Sequence, residues 1–168
     1  MKQIGWAAIA ASLLVSPCLA ADKPAEAPKP GDALKAFGLP GTWSPSCSRA
    51  EHETWSPDAG CPTKIVFATP ENAAPNVSIV TCNKLAAKME IPVAEQQAAD
   101  RIRMVYAVKQ VPGDKTFLKP GDSWEIIYVK KDDKIKMMSE KQVGTSRTLV
   151  SDGKQAGRET QLLEKCGG

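Results

Sequence analysis

Apolar and polar residues alternate with period two along most of the chain after Cys61, which is the pattern of half-buried β-strands. The clearest case is Arg101–Lys109, RIRMVYAVK, in which every second residue from Ile102 to Val108 is apolar or aromatic. Further strands are predicted at Lys64–Thr69, Val77–Cys82, Ala86–Ile91, Ser123–Lys130, Lys134–Lys141, Thr145–Val150 and Arg158–Cys166. This rhythm of eight or nine short strands predicts an all-β fold, either an up-and-down barrel or a sandwich.

Turn and helix signals punctuate this pattern. Lys131–Asp133 predicts a tight turn, and the Asp-Gly pair within Ser151–Lys154 predicts a β-hairpin. Before the strands, Gly31–Phe37 predicts one or two helical turns, with Asp32 as the N-cap and Gly38 as the stop. Among the β signals, only Pro92–Asp100, PVAEQQAAD, suggests a helical turn.

The N-terminus has the form of a secretory signal peptide. Lys2 precedes an uncharged, mostly apolar run over Ile4–Val15, and small residues follow. We expect cleavage after Ala20 or, as second choice, after Ala21. The run is shorter than the roughly 20 apolar residues of a membrane span. Pro17 stands where a lipobox needs a small residue before its cysteine, so lipidation is not expected.

Three regions follow from these patterns: residues 1–20 as signal peptide, 21–38 as a flexible tether with a short helical segment, and 39–168 as the β-barrel domain. The tether Asp22–Pro30 is rich in proline, alanine and lysine and has almost nothing to bury. The whole chain has 22 Lys and Arg against 19 Asp and Glu, interspersed without a basic stripe. We therefore expect a periplasmic or secreted monomer with no membrane span and no nucleic-acid partner.

Four cysteines remain after the signal peptide: Cys47, Cys61, Cys82 and Cys166. An even number of cysteines in an exported chain indicates disulfide bonds. Four cysteines allow three pairings, and the spacing does not choose between them.

The tetrapeptide TWSP occurs twice, at Thr42–Pro45 and Thr54–Pro57, with the chain's single histidine, His52, between the copies. Repeat architectures need periods of about 20 residues or more, so the likeness is interpreted as chance. We expect the first copy to lie at the entrance to the β fold, and the second, in a polar stretch with proline and glycine, to lie in an inserted loop. Because no C-x-x-C or H-x-x-x-H spacing accompanies His52, we expect disulfides and a surface histidine rather than a metal site.

Nothing in the sequence indicates catalysis. His52 is the only imidazole available as a base, and there is no Gly-x-Ser-x-Gly elbow and no glycine-rich phosphate loop. Paired carboxylates remain an alternative that the sequence cannot place, with the candidates Glu90, Glu95, Asp100 and Glu125. We therefore expect a protein that is not an enzyme and has no cofactor.

Two motifs at the ends of the β region resemble the lipocalin-like barrels of the calycin superfamily and small exported proteins of proteobacteria. The first is Gly41–Thr42–Trp43, which follows the short helical segment. The second is a terminal Gly…Thr…Leu…Cys stretch, here Gly157, Thr160, Leu162 or Leu163, and Cys166. The resemblance implies a single antiparallel up-and-down barrel of about eight strands, with Trp43 packed across its closed end.

The same resemblance implies a disulfide pairing. In a closed barrel the first and last strands are neighbours, so Cys47 is expected to pair with Cys166. Cys61 and Cys82 are then left to join the inserted loop to a neighbouring strand.

The large residues predicted to face inward suggest a ligand. Methionines adapt to loosely specified apolar ligands, and a small barrel can hold one small molecule. We expect a non-catalytic binding protein for a small apolar or amphipathic ligand, and the alternative is a filled core. The candidate ligand-binding residues are Trp43, Met89, Met104, Tyr106, Trp124, Tyr128 and Met137.

A protein partner is the second hypothesis. Trp55 is either a partner anchor or a cap on the barrel end. The barrel also resembles bacterial periplasmic inhibitors of secreted metalloproteases, which place an N-terminal segment in the protease cleft, and Asp22–Lys35 is the corresponding arm here. A structural envelope protein without a pocket is the third hypothesis.

Overall fold

A short helix followed by a long series of antiparallel strands makes up the computed structural model, which describes residues 28–48, 63–113 and 118–167. The helix α1 is Pro30–Phe37. The strands are β1 (Gly41–Ser44), β2 (Thr63–Ala68), β3 (Asn76–Thr81), β4 (Lys84–Ala98), β5 (Arg101–Gln110), β6 (Ser123–Lys131), β7 (Lys134–Gln142), β8 (Thr148–Ser151), β9 (Lys154–Gln155), β10 (Arg158–Glu159) and β11 (Leu162–Cys166). No helix among these residues is long and apolar enough to cross a membrane.

Eight of these strands close into a barrel. Strands β1 to β7 each pair with the next in antiparallel order, and β11 then pairs with both β7 and β1. The remaining strands, β8 to β10, form a ribbon that continues from the far half of β7. The prediction of an all-β, antiparallel up-and-down barrel of about eight strands with a short N-terminal helix is therefore confirmed.

Period-two alternation places the core inside the ring. On β5 the side chains of Ile102, Met104, Tyr106 and Val108 are all buried. On β6 the buried ones are Trp124, Ile126 and Tyr128, as the alternation predicts. Phe67 meets Tyr128 edge to face across the interior, with ring centroids 6.1 Å apart.

The helix α1 closes one end of the barrel. Leu34, Phe37 and the following Leu39 are fully buried and belong to the same core as the strands. The Trp43 indole nitrogen donates a hydrogen bond of 2.8 Å to the carbonyl oxygen of Leu39. The ammonium of Lys130 lies 4.5 Å from the centre of the Phe37 ring.

The predicted N-cap of α1 is wrong, although its stop at Gly38 is confirmed. The helix begins one residue earlier than predicted, at Pro30, and Lys29 caps it without a side-chain hydrogen bond. Asp32 lies inside the first turn, where its charge favours the positive end of the helix dipole. Proline suits the first helical position because its φ is already helical and it lacks the N–H that would remain unpaired there.

The helical turn suggested at Pro92–Asp100 is also wrong, because β4 continues as far as Ala98. A bulge accommodates the proline: Ile91 and Pro92 together oppose a single residue of β5. Because the ladder between β4 and β5 is interrupted at this bulge, the missing N–H of proline removes no ladder hydrogen bond. The Ile91 N–H donates instead to the carbonyl oxygen of Pro75.

The last predicted strand, Arg158–Cys166, is divided in two. Ala156 and Gly157 both have positive φ and turn the chain so that β10 pairs back with β9. The Thr160 hydroxyl then donates to the carbonyl oxygen of Met137, and β11 begins at Leu162. The predicted Asp-Gly hairpin is confirmed between β8 and β9, where both turn residues have positive φ.

A disulfide joins the segment just after the first strand to the last strand of the ring, and its pairing is the one that the resemblance implied. Cys47 and Cys166 are bonded, and their Cα atoms are 5.2 Å apart. The backbone N–H of Cys47 also donates to the Glu164 carboxylate at 2.7 Å. Cys82 is disulfide-bonded as well, whereas Cys61, its predicted partner, lies outside the described residues.

Candidate binding cavity

A small cavity of about 50 Å³ lies inside the barrel, in the half away from α1. Strand β6 gives the direction: Lys130, whose ammonium lies over the Phe37 ring of α1, is near its end, whereas Trp124 is near its start and lines the cavity. The wall is mostly apolar. Its residues are Ile65, Val77, Ile79, Met89, Tyr106, Leu118, Trp124, Ile126, Tyr128, Met137 and Glu140.

Two buried polar groups in this wall have no hydrogen-bond partner among the described residues: the Tyr106 hydroxyl and the Trp124 indole N–H. The two residues are cross-strand neighbours on β5 and β6, and they are 3% and 1% exposed. Burial raises the pKa of Tyr106 well above its usual range. The Tyr128 hydroxyl raises the pKa of Tyr106 further, although the two hydroxyls are not positioned to form a hydrogen bond.

Among the described residues, Glu140 is the one acidic residue in the cavity wall, and burial raises its pKa above the ordinary value. The strand alternation predicts the opposite orientation, because Ile135 and Met137 face inward and Glu140 is out of phase with them. A bulge at Met138 changes the phase: Tyr128 pairs with Met137, but Ile127 pairs with Ser139 and Ile126 with Glu140. Glu140 thereby shares the inward face.

A larger cleft of about 520 Å³ opens beside the cavity, through the side of the barrel. It exists because the neighbouring strands β1 and β11 are short. Strand β11 pairs with β7 only as far as Lys136, so the rest of β7 has no barrel neighbour on that side. The cleft is lined by Ile65, Met137, Glu140, Val150, Gln155, Ala156, Arg158, Glu159, Thr160, Gln161 and Leu163.

Cavity and cleft share three wall residues, Ile65, Met137 and Glu140. These three shared residues, here called the constriction, lie at the boundary between the mostly apolar cavity and the more polar cleft. Met137 has an unbranched, adaptable side chain, so this constriction can widen without a backbone change.

The structure brings together five of the seven predicted ligand-binding residues in the cavity wall: Met89, Tyr106, Trp124, Tyr128 and Met137. The other two lie elsewhere in the core. Trp43 packs at the α1 end, and Met104 is fully buried without lining the cavity. Trp55 and His52 lie outside the described residues.

Six wall residues were not among the predicted ligand-binding residues: Ile65, Val77, Ile79, Leu118, Ile126 and Glu140. The predicted strand Lys64–Thr69 places Ile65 on the inward face of the fold. It does not indicate that Ile65 lies at the constriction. Leu118 lies between predicted strands, where no periodicity applies. The only sequence signal for Glu140 is the apolar pair Met137–Met138, which is compatible with a change of phase along β7.

The carboxylates considered for catalysis are not in this cavity. Glu90 pairs with Lys109 at 2.9 Å. Glu125 bridges the guanidinium of Arg103 at 2.5 Å and the ammonium of Lys141 at 2.8 Å. The other two are Glu95, which also pairs with Arg103, and Asp100, which is exposed. Over the described ranges, no group of three or more His, Cys, Asp or Glu side chains is arranged to hold a metal ion.

Replacing Glu140 by glutamine is expected to raise stability at neutral pH more than at acidic pH. Burial raises the folded-state pKa of Glu140, so folding is penalised once the unfolded-state carboxyl ionises near 4.5. The penalty is absent below that pH and grows until the folded-state pKa is passed. Urea unfolding of both proteins between pH 4 and 8 measures this difference.

Glu125→Gln is the matched control with the opposite sign. Lys141, and with it Arg103, holds the pKa of Glu125 below its ordinary value. Its carboxylate therefore adds stability above that value, which is lost as the pH falls through the folded-state pKa. A Glu140→Gln profile parallel to wild type, or parallel to Glu125→Gln, would contradict the inward, desolvated position of Glu140.

The sequence matches no protein-family model, no curated protein and no solved structure. The chemistry of the cavity and its cleft is therefore the basis for inferring function.

Proposed function

We propose that this protein is an exported, non-catalytic binding protein that holds a small apolar or amphipathic molecule in its barrel. The observation that carries the proposal is a cleft leading to an apolar cavity in which two buried donors have no partner among the described residues. Unpaired buried polar groups are uncommon, because each costs about 1–3 kcal/mol of desolvation. A ligand that accepts hydrogen bonds would remove that cost.

The volumes support a ligand that is only partly enclosed. The inner cavity of about 50 Å³ holds roughly three to five water molecules, at about 10–15 Å³ each. The outer cleft of about 520 Å³ falls within the 300–1,000 Å³ that is usual for small-molecule sites. One end of a slender molecule fits inside, and the rest lies in the cleft.

Export is supported by cysteine chemistry together with the signal peptide predicted from the sequence. Cys47, Cys82 and Cys166 are all disulfide-bonded, and disulfides persist mainly in oxidising compartments. The resemblance to lipocalin-like barrels adds support, because small barrels of this architecture can hold one small ligand.

The inhibitor hypothesis receives less support from the structure. Its arm, Asp22–Lys35, includes the first six residues of α1, and Leu34 in that helix is fully buried in the barrel core. Insertion of this part of the arm into a protease cleft would expose Leu34. Residues 22–27 lie outside the described residues.

Native mass spectrometry of the protein purified from the compartment to which it is exported tests the binding function. We expect a native mass above the denatured mass by less than a protein chain. In Met137→Trp, which places an indole at the constriction, this added mass should disappear. Val143→Trp, at a position that is 51% exposed, is the control for an added indole and should retain it.

Two other results would replace this function. A second polypeptide in the native complex would favour a protein–protein module. An empty monomer, identical for the wild type and both variants, would favour a structural envelope protein with a filled barrel.

A further inference from the structure

We propose that the ligand ends in a neutral carbonyl group bearing its own N–H or O–H, as in a primary amide, which enters the inner cavity while an apolar chain lies in the outer cleft. This inference deepens the binding function proposed above and rests on it.

The unpaired donors determine one half of the head group. An indole N–H can only donate, so Trp124 requires an acceptor on the ligand. The Tyr106 hydroxyl can donate to the same atom, because Tyr106 and Trp124 are directly opposite on adjacent strands and both face inward. A carbonyl oxygen, which has two lone pairs, can accept from both groups at once.

Glu140 determines the other half. It pairs in register with Ile126, two residues from Trp124 on the same inward face, so the carboxyl is a diagonal neighbour of the indole. A ligand N–H or O–H next to the carbonyl can donate to this carboxyl. Apart from Tyr128, the remaining wall residues of the cavity are apolar and offer no side-chain hydrogen-bonding group.

Charged heads fit this arrangement less well. A carboxylate would satisfy Trp124 and Tyr106 but would place a second negative charge beside Glu140. An ammonium group would pair with Glu140 but would leave the Trp124 N–H without an acceptor, since it can only donate. Only a neutral head that both accepts and donates satisfies all three residues.

The cleft provides the place for the chain. Its apolar wall residues include Ile65, Val150 and Leu163, and it shares Met137 with the cavity. The cavity takes only a few non-hydrogen atoms, so the chain must continue into the cleft. A slender, unbranched chain passes the constriction with the smallest displacement of Met137.

Isothermal titration of the mature protein with three eight-carbon probes, octanamide, octanoate and octylammonium, tests the head group at neutral pH. We expect octanamide to bind at least about two- to tenfold more tightly than either charged probe, since each charged probe loses at least one hydrogen bond worth that factor. Tyr106→Phe should weaken octanamide about fivefold to tenfold. The melting temperature of this variant should not fall, because the Tyr106 hydroxyl has no hydrogen-bond partner among the described residues. Glu140→Gln should narrow the gap between octanamide and octanoate by removing the opposing charge.

The remaining outcomes separate this inference from the binding function. Tightest binding of octylammonium or octanoate would overturn the neutral head and leave the binding function intact. If all three probes bind equally and Tyr106→Phe has no effect, the protein recognises only the alkyl chain of the probe. This result would also overturn the neutral head group. If no probe binds, the head group proposed here is wrong. A carried molecule in the native mass spectrum would then preserve the binding function, and an empty barrel would remove both.

Discussion

Replacing Cys47 and Cys166 together by alanine is expected to lower the free energy of unfolding by about 4–5 kcal/mol. The two cysteines are 119 residues apart in sequence, so their bond removes a large part of the conformational freedom of the unfolded chain. The bond also lies beside one of the shortest ladders of the ring, because β1 has only four residues and pairs with β11 over three. Denaturant unfolding of the wild type and the double variant measures the difference.

Two controls distinguish this bond from cysteine replacement in general. Adding reductant to the wild type should produce a loss at least as large, since it also opens the Cys82 disulfide. Adding reductant to the double variant should then remove only the contribution of that second bond. If the double variant loses less than about 1 kcal/mol, the closure of the ring does not depend on this disulfide.

Phe37→Ala is expected to lower the free energy of unfolding by about 3–5 kcal/mol. The ring is fully buried at the end of the barrel, and its loss leaves a cavity between α1 and the strands. It also removes the ring beneath the ammonium of Lys130. The measurement is denaturant unfolding, followed by far-ultraviolet circular dichroism and tryptophan fluorescence.

Lys35→Ala is the matched control on the same helix. Its side chain is exposed, so the change is expected to stay within about 0.5 kcal/mol. If Phe37→Ala were as mild as this control, α1 would not be part of the barrel's core. The short helix would then belong to the flexible tether that the sequence alone predicts for residues 21–38.

The strands could be predicted from the sequence where alternation is unbroken and could not where a bulge changes its phase. β5 and β6 keep one phase, so their inward residues followed from the pattern. In β4, Pro92 looks like the end of a strand, but a bulge accommodates it and the strand continues. In β7, the bulge at Met138 turns Glu140 inward. Bulges are set by pairing with the neighbouring strand, which a local pattern does not contain.

Only part of the cavity wall could be predicted from the sequence, and the reason is related. Alternation shows that Met89 and Met104 both face inward, yet only Met89 lines the cavity. The difference depends on what fills the space opposite each residue, which comes from distant parts of the chain. The side cleft was not predictable either, because it results from the shortness of β1 and β11.

The methyl resonances of the methionines test the central claim most directly, that a ligand binds inside the barrel by way of the side cleft. Four methionines follow the predicted signal peptide, and they divide into two pairs. Met89 and Met137 line the cavity, whereas Met104 and Met138 line neither the cavity nor the cleft. In ¹³C-methyl spectra titrated with octanamide, we expect the resonances of Met89 and Met137 to shift and those of Met104 and Met138 to stay in place. Once calorimetry shows that octanamide is bound, shifts confined to Met138, or no shift of any methionine, would contradict binding in the barrel interior.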